Sequence, residues 1–443
     1  MDDALFTLYT AHVTMLKMRH DVALSESKFD HVLIASGALH YQFLDDMPYP
    51  FKVNPHFKNW VPVVDNPNCF VLYTPGMKGK LIYYQPVDYW HKVAGTPTAK
   101  WVDKWEIVMI ADPDQAKQHI PKGRIAFLGE WDERYAAWGD LTPNPEAVIN
   151  SLHWDRAQKT EYEIECLRQA NRRGARGHRA AERAFREGLS EYEIHLEYLR
   201  GADHTEEEVP YGNIIALNES AATLHYYHHV RERIPENDLH SFLIDAGASY
   251  NGYASDITRT YSRRRDEFQE LIEAMDEMQL GLVKACLPNT NYPDIHMMAH
   301  RGVANLLTRF GFTRDIDADG LFEKRITSTF LPHGVGHYLG LQVHDVGGFM
   351  ADRSGNTIPK PEGHPYLRLT RVVDPGHVFT IEPGLYFIDS LLGDLQQSDN
   401  ARYVNWEKVD GFRKYGGIRI EDDVLILEAG NENMTRAAFA DVA

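Results

Sequence analysis

The dipeptide Asn251-Gly252 constrains this chain more than any other feature. It joins two β-prone runs, FLIDAGASY from Phe242 and YASDITRTY from Tyr253. A type I′ turn needs positive φ at both central residues, and Asn-Gly between apolar or aromatic runs is the strongest short signal for that hairpin. A two-residue loop also sets the register. Tyr250 faces Tyr253, and counting outward places Asp245 opposite Thr258 and Asp256 opposite Gly247. Side chains alternate with period two, so Asp245, Gly247, Asp256 and Thr258 share one face. The two carboxylates are then diagonal neighbours, roughly 5–8 Å apart. On a solvated face such a pair is ordinary. If the face is buried, the two anions repel unless one is protonated or cations lie between them.

Three further segments carry polar groups in apolar or glycine-rich surroundings. FLPHGVGHYLGLQVHD holds His333, His337 and His344. Its glycines rule out a regular helix, so it is not the helical H-E-x-x-H zinc arrangement. In VFTIEPGLYF, Glu382 ends a strand before a Pro-Gly turn. In GGIRIEDDVLI, alternation puts Arg419 and Glu421 on one face. Each alone reads as a hydrogen-bonded histidine or a strand-edge acid in solvent. Together they supply two Asp, at least one His and two Glu. That oxygen-rich set with an imidazole suits Mn²⁺, Co²⁺ or Zn²⁺. Four clustered carboxylates are untenable without counter-charge, and two divalent cations balance them.

At 443 residues the chain is too long for one ordinary core, and two domains are expected. The texture changes near Ala157–Thr160, which gives domains 1–156 and 157–443. The first reads as an amphipathic helix over 4–29 followed by β-rich runs starting at His31, Asn68, Lys80, Trp105 and Gly123, a mixed α/β pattern. FLDDMPYPFKVNPHFKNW, from Phe43, reads as one long loop. In the second domain Thr160 caps a long helix that Gly188 ends. A shorter helix and the hairpin follow. Helices over about 266–285 and 291–311 and more strands then repeat the order, a weak hint of internal duplication. The fold class is therefore α/β, in the α+β sense. A formal charge of −18 argues against nucleic-acid binding. The absence of any 18-residue apolar run argues against a membrane span. The acidic start MDDALFTLYTAHV lacks a signal peptide's basic region, and Cys69, Cys166 and Cys286 form no metal pattern. A cytoplasmic location is expected.

The set DAGA…YASDITRT, HGVGHYLGLQVHD, TIEPGLYF and GGIRIEDD resembles the metal-binding signatures of the pita-bread metallopeptidases, which include methionine aminopeptidases, aminopeptidase P and Xaa-Pro dipeptidases. The similarity covers essentially the whole chain. It is nearest to bacterial Xaa-Pro dipeptidases (prolidases), some of them called organophosphorus acid anhydrolases; FLDDMPYPFKVNP and LHY share in it. The resemblance implies a smaller N-terminal mixed α/β domain, serving dimerisation and as a pocket lid, and a C-terminal pita-bread domain with an internal pseudo-duplication. It implies two divalent ions per subunit, Mn²⁺ first with Co²⁺ or Zn²⁺ open, held by Asp245, Asp256, His337, Glu382 and Glu421. Glu382, His333, His344 and Arg419 would serve catalysis. Tyr211, His225, His344 and Arg371 would bind substrate, and Asp45 would reach the partner's pocket in a homodimer.

The implied activity is hydrolysis of Xaa-Pro dipeptides, with Glu382 as general base and then acid, and a side activity on organophosphorus esters and fluorides. Three alternatives stand beside it. They are an aminopeptidase P-type enzyme, a primary organophosphorus hydrolase, and a metal-free binding or creatinase-like protein, which is expected to lack ligand carboxylates.

Overall fold

The computed structural model describes residues 1–442 and divides into two compact units. The first holds Met1–Cys166 with the short pieces Tyr250–Tyr253 and Ala351–Asn356, and the second holds the rest of the described chain.

In the first unit α1 (Asp3–Ser27) starts where the Asp2 carboxylate accepts the Leu5 N–H at 2.8 Å. Six strands follow: β1 (His31–Ala35), β2 (Phe70–Tyr73), β3 (Lys80–Tyr84), β4 (Glu106–Ile110), β5 (Arg124–Leu128) and β6 (Asp140–Pro143). They form one mixed sheet in the order β4-β3-β2-β1-β5-β6. β1 and β2 are buried at every position, as strands covered on both faces should be. Leu33, Phe70, Leu72 and Phe127 pack with Tyr135 and Trp138. Tyr73, directed the other way, meets Trp60, whose carbonyl accepts from Tyr9. The expected single loop from Phe43 to Trp60 is corrected at its end, where α2 (Pro55–Trp60) forms. Asn54 caps it and Pro55 takes a first-turn position, a start signal that the aromatic-rich composition masked. A helix α3 (Glu146–Arg156) also escaped the sequence reading.

The next helix, α4 (Glu161–Arg186), opens with a reciprocal cap. Glu163 accepts the Thr160 N–H at 2.9 Å and Thr160 accepts the Glu163 N–H at 3.4 Å. α5 (Glu191–Ala202) uses the same device with Ser190 and Glu193. The strands β7 (Ile214–Leu217), β8 (Ser241–Asp245), β9 (Ser249–Tyr250), β10 (Tyr253–Ala254) and β11 (Thr258–Ser262) come next. The order then repeats: α6 (Glu267–Ala285) and α7 (Tyr292–Arg309), then β12 (Val378–Ile381), β13 (Gly384–Tyr386), β14 (Gly417–Arg419), β15 (Asp422–Ile426) and β16 (Asn431–Asn433). Two antiparallel triplets result, β11-β8-β7 and β12-β15-β16, with β13 paired to β14. The first cycle carries the two aspartates and the second the two glutamates.

The hairpin register is the expected one. Asn251 and Gly252 have φ of 49° and 88°, and Asp245 pairs with Thr258. The cycles meet where Thr258 bridges Glu421, and the Glu421 N–H donates to the Thr258 carbonyl at 3.1 Å. Asp422, the next residue, turns the other way. It is fully buried between Arg259 Nη2 at 2.6 Å and Arg436 Nε at 2.8 Å. Burial pushes its carboxyl up, but the two guanidiniums outweigh that and hold it at about 2.

Candidate active site

The hairpin face carrying Asp245 and Asp256 is buried, and the second cycle closes on it. The Tyr211 hydroxyl lies 2.8 Å from Asp245 Oδ1 and 2.6 Å from Asp256 Oδ1, so one phenol ties both acids together. His337 Nε2 lies 3.4 Å from Asp256 Oδ2 and 3.6 Å from Glu382 Oε1. Glu421 accepts from the Thr258 hydroxyl at 2.6 Å. Arg419 spans the cluster, donating to Asp245 Oδ2 at 2.6 Å, Thr258 at 3.1 Å and the Tyr386 hydroxyl at 2.8 Å. Asp256, His337 and Glu421 bring one ligand atom each to within 4.8 Å of one another.

Local sequence explains these placements. His337 sits in a glycine-rich loop that must run flat against β12. A Cβ on Gly336, whose φ is 155°, would strike the Thr380 carbonyl and the Tyr292 hydroxyl. The His337 N–H donates to the Thr380 hydroxyl at 3.2 Å, and its Nδ1 donates to the Tyr338 carbonyl at 2.9 Å, so Nε2 is left to face the acids.

The charges do not balance by themselves. Burial pushes Glu382 up to about 7 and Glu421 well above the usual carboxylate range, with neighbouring acids adding to it. Burial also raises Asp245, against the pull of Arg419. For Asp256, hydrogen bonds from His337 and Tyr211 outweigh burial and hold it low. Burial pulls the His337 imidazole down, yet Asp256 and Glu382 prevail and hold it at about 9. Arg419 and a protonated His337 offset two of four carboxylates. The donor set, four carboxylates and an aimed imidazole, therefore fits hard-to-borderline divalent cations.

Tyr211, His333, His344 and Arg419 all have contacts tying them to this cluster. Both ring nitrogens of His333 are engaged: Nδ1 donates to the Gly334 carbonyl at 2.8 Å and Nε2 accepts from the Tyr386 hydroxyl at 2.9 Å. His344 packs its ring at 4.2 Å from that of His337, and burial, with repulsion from His337, brings it down to about 3, hence neutral. His225 is exposed, near enough to act on both His333 and His344. Arg371 is buried, with its guanidinium 5.9 Å over the Tyr338 ring, next in sequence to His337. Asp45 belongs to the first unit and is exposed, accepting the Asp46 and Met47 N–H groups at 2.7 and 3.2 Å. Tyr386 and Asp423 escaped the sequence reading. Tyr386 links His333 to Arg419, and Asp423 accepts the Asp256 N–H at 3.2 Å. Their positions beside Glu382 and Glu421 were the available signal.

Comparison with known proteins places the chain in a family. Residues 7–154 match the family model "Xaa-Pro dipeptidase, N-terminal domain", and residues 165–428 match "Metallopeptidase family M24". The chain belongs to the Xaa-Pro dipeptidases of metallopeptidase family M24. It is thus a hydrolase of the pita-bread fold. A Xaa-Pro dipeptidase from Pseudoalteromonas translucida is 49% identical over 437 residues, 98% of this chain and 99% of the relative. One from Shewanella oneidensis is 49% identical over 436 residues, again 98% and 99%. Among solved structures, Escherichia coli aminopeptidase P with the inhibitor Pro-Leu aligns at a TM-score of 0.72 and 22% identity, covering 96% of this chain and 95% of that one. Pseudomonas aeruginosa aminopeptidase PepP aligns at 0.71 and 22%, covering 97% and 98%. These two Xaa-Pro dipeptidase relatives each match 98% of this chain. No helix among the described residues is long and apolar enough to cross a membrane.

Proposed function

We propose that this enzyme hydrolyses Xaa-Pro dipeptides using two divalent cations held by Asp245, Asp256, His337, Glu382 and Glu421. The observation that carries the proposal is the buried, electrostatically unbalanced carboxylate cluster, in a chain 49% identical to Xaa-Pro dipeptidases over nearly its full length. When bound, such a cation pair makes a water acidic enough to attack near neutral pH and polarises the scissile carbonyl. Mn²⁺ is the first choice, with Co²⁺ and Zn²⁺ suited to the same donors.

The side chains divide the remaining work. Glu382, at the cluster edge with 16% of its side chain exposed, takes the attacking water's proton and returns it to the leaving imide nitrogen. Neutral His344 donates to the carbonyl oxygen as negative charge develops there. His333, engaged by Gly334 and Tyr386, keeps Arg419 and Glu382 in place, and Arg419 holds Asp245 in its ligating orientation. His225 and Tyr211 line the substrate side. A fluorophosphate ester would use the same charge distribution, and its hydrolysis by metal-loaded protein tests that side activity.

Proline's nitrogen lacks an N–H, so recognition must rest on the substrate's termini and ring shape. Arg371 closes the leaving-group side in this reading, since a guanidinium binds a terminal carboxylate bidentately. Its buried position next to the His337 loop supports the assignment. A tripeptide moves that carboxylate away, and losing a charge-assisted hydrogen bond costs about 1.5–3 kcal/mol, or roughly ten- to a hundredfold. We therefore expect Xaa-Pro to be cleaved at least tenfold faster than Xaa-Pro-Yaa. Arg371→Ala should narrow the gap by slowing the dipeptide. Equal kcat/KM for the two lengths in the unmodified enzyme would point to an aminopeptidase instead.

The competent unit in this proposal is a homodimer, in which the loop bearing Asp45 covers the partner's pocket. Phe43 and Leu44 beside Asp45 are 89% and 92% exposed, which is unusual for two adjacent apolar side chains on an ordered loop. Sedimentation at assay concentration should give a dimer whose dilution to monomer removes activity. A fully active monomer would contradict it. The three buried, free cysteines support a reducing, cytoplasmic setting.

A further inference from the structure

Outside the carboxylate cluster, though near enough for His333 to act on both, α7 carries His296 and His300 one turn apart, on the same helical face. Both residues are 1% exposed. His364, on the segment between Met350 and β12 and 9% exposed, completes a triangle with ring centroids 4.7, 4.7 and 4.6 Å apart. One nitrogen from each imidazole lies within 4.8 Å of the others. His300 Nδ1 is tied to the Thr327 hydroxyl at 3.0 Å, while its Nε2 is buried without a hydrogen-bond partner. His296 Nε2 and His364 Nδ1 stand 2.9 Å apart, and His296 Nδ1 is again buried and unpartnered. Buried polar atoms are nearly always satisfied, so a buried triad in which His300 Nε2 is orphaned calls for a ligand.

We propose that His296, His300 and His364 bind a zinc-class cation at a site separate from the carboxylate cluster. Tetrahedral zinc at about 2.0–2.1 Å from each nitrogen sets its ligands about 3.3 Å apart. The close His296–His364 pair reaches that by opening a few tenths of an ångström, and His300 Nε2 supplies the third bond. With Nδ1 donating to the Thr327 hydroxyl, His300 Nε2 presents its lone pair, the role an outer partner plays at zinc histidines. Three neutral imidazoles without a carboxylate favour zinc over manganese. Arg325, the cation that acts on His364, is paired with Glu362 at 3.1 Å, which tempers its opposition to a bound ion. His364, at 9% the most exposed of the three, gives a way in.

Equilibrium dialysis of chelator-stripped full-length protein, with metal counted by mass spectrometry, tests the site without reference to activity. The unmodified protein should take up about one more zinc than manganese per chain. His300→Gln and His364→Ala should each lose that extra zinc while binding manganese as before. The carboxylate cluster contributes equally to all three proteins, so its occupancy, and any failure of the dipeptidase reading, cancels. Equal zinc counts in the unmodified protein and a folded variant would overturn the site. If neither variant folds, equal zinc and manganese counts in the unmodified protein would do the same.

Discussion

Asp256→Asn is expected to lower kcat/KM by about a thousandfold or more while leaving a folded protein. The change keeps the side chain's shape and its place under the Tyr211 hydroxyl, and removes the negative charge that His337 now holds low. A cation at this cluster would lose one of four carboxylate ligands, and several kcal/mol of transition-state stabilisation with it. About 4 kcal/mol corresponds to the thousandfold. The same replacement relieves repulsion on Glu421 and Asp245, both of which Asp256 pushes up. It also gives up the His337 contact that holds Asp256 low, so the stripped variant should melt no higher than the stripped parent. Metal content by mass spectrometry, activity and a thermal melt read the three effects separately. An Asp256→Asn enzyme that stays active without bound metal would remove Asp256 from the ligand set.

Arg259→Ala is expected to cost about 3 kcal/mol of stability. Removing one partner of a buried ion pair leaves a charge in a medium that cannot solvate it, an effect of about 3–5 kcal/mol. Asp422 keeps Arg436 and Asn433, which puts the expectation at the lower end. Arg259 also donates to the Thr258 and Glu421 carbonyls at 2.8 Å each, so the join between β11 and β15 loosens with it. A drop in melting temperature of roughly 6–12 °C follows for a unit of this size. Adding Asp422→Asn should recover part of the loss, because the buried carboxylate then has no charge left under-compensated by Arg436 alone. Asp422 is held at about 2, below its ordinary 3.8, so its contribution is complete at neutral pH and fades as the pH falls from about 4 toward 2. The melting gap between parent and Arg259→Ala should shrink over that window. A gap under a degree at pH 7 would show that Arg259 is dispensable to the join.

The chain's local code carried much of the outcome. Asn251-Gly252 dictates positive φ at two successive residues, and that alone aligns Asp245, Asp256 and Thr258 on one face. Thr160 with Glu163 and Ser190 with Glu193 announce two helices, because each side chain satisfies the other's backbone donor. Alternation in GGIRIEDD separates Glu421, directed to the site, from Asp422, directed to Arg259 and Arg436. Other features had no local signature. That the hairpin's acidic face is buried depends on β15 arriving from more than 160 residues away, since Thr258 meets Glu421 at a separation of 163 residues. Asp422 is as acidic on paper as any surface residue, and only two guanidiniums, brought by β11 and the helix Met434–Asp441, turn it into a structural anchor. Tyr386 linking His333 to Arg419 and the approach of His364 to His296 and His300 have the same character. A side chain's partners across the fold are set by how elements pack, and the packing depends on the summed burial of many side chains that no single motif contains.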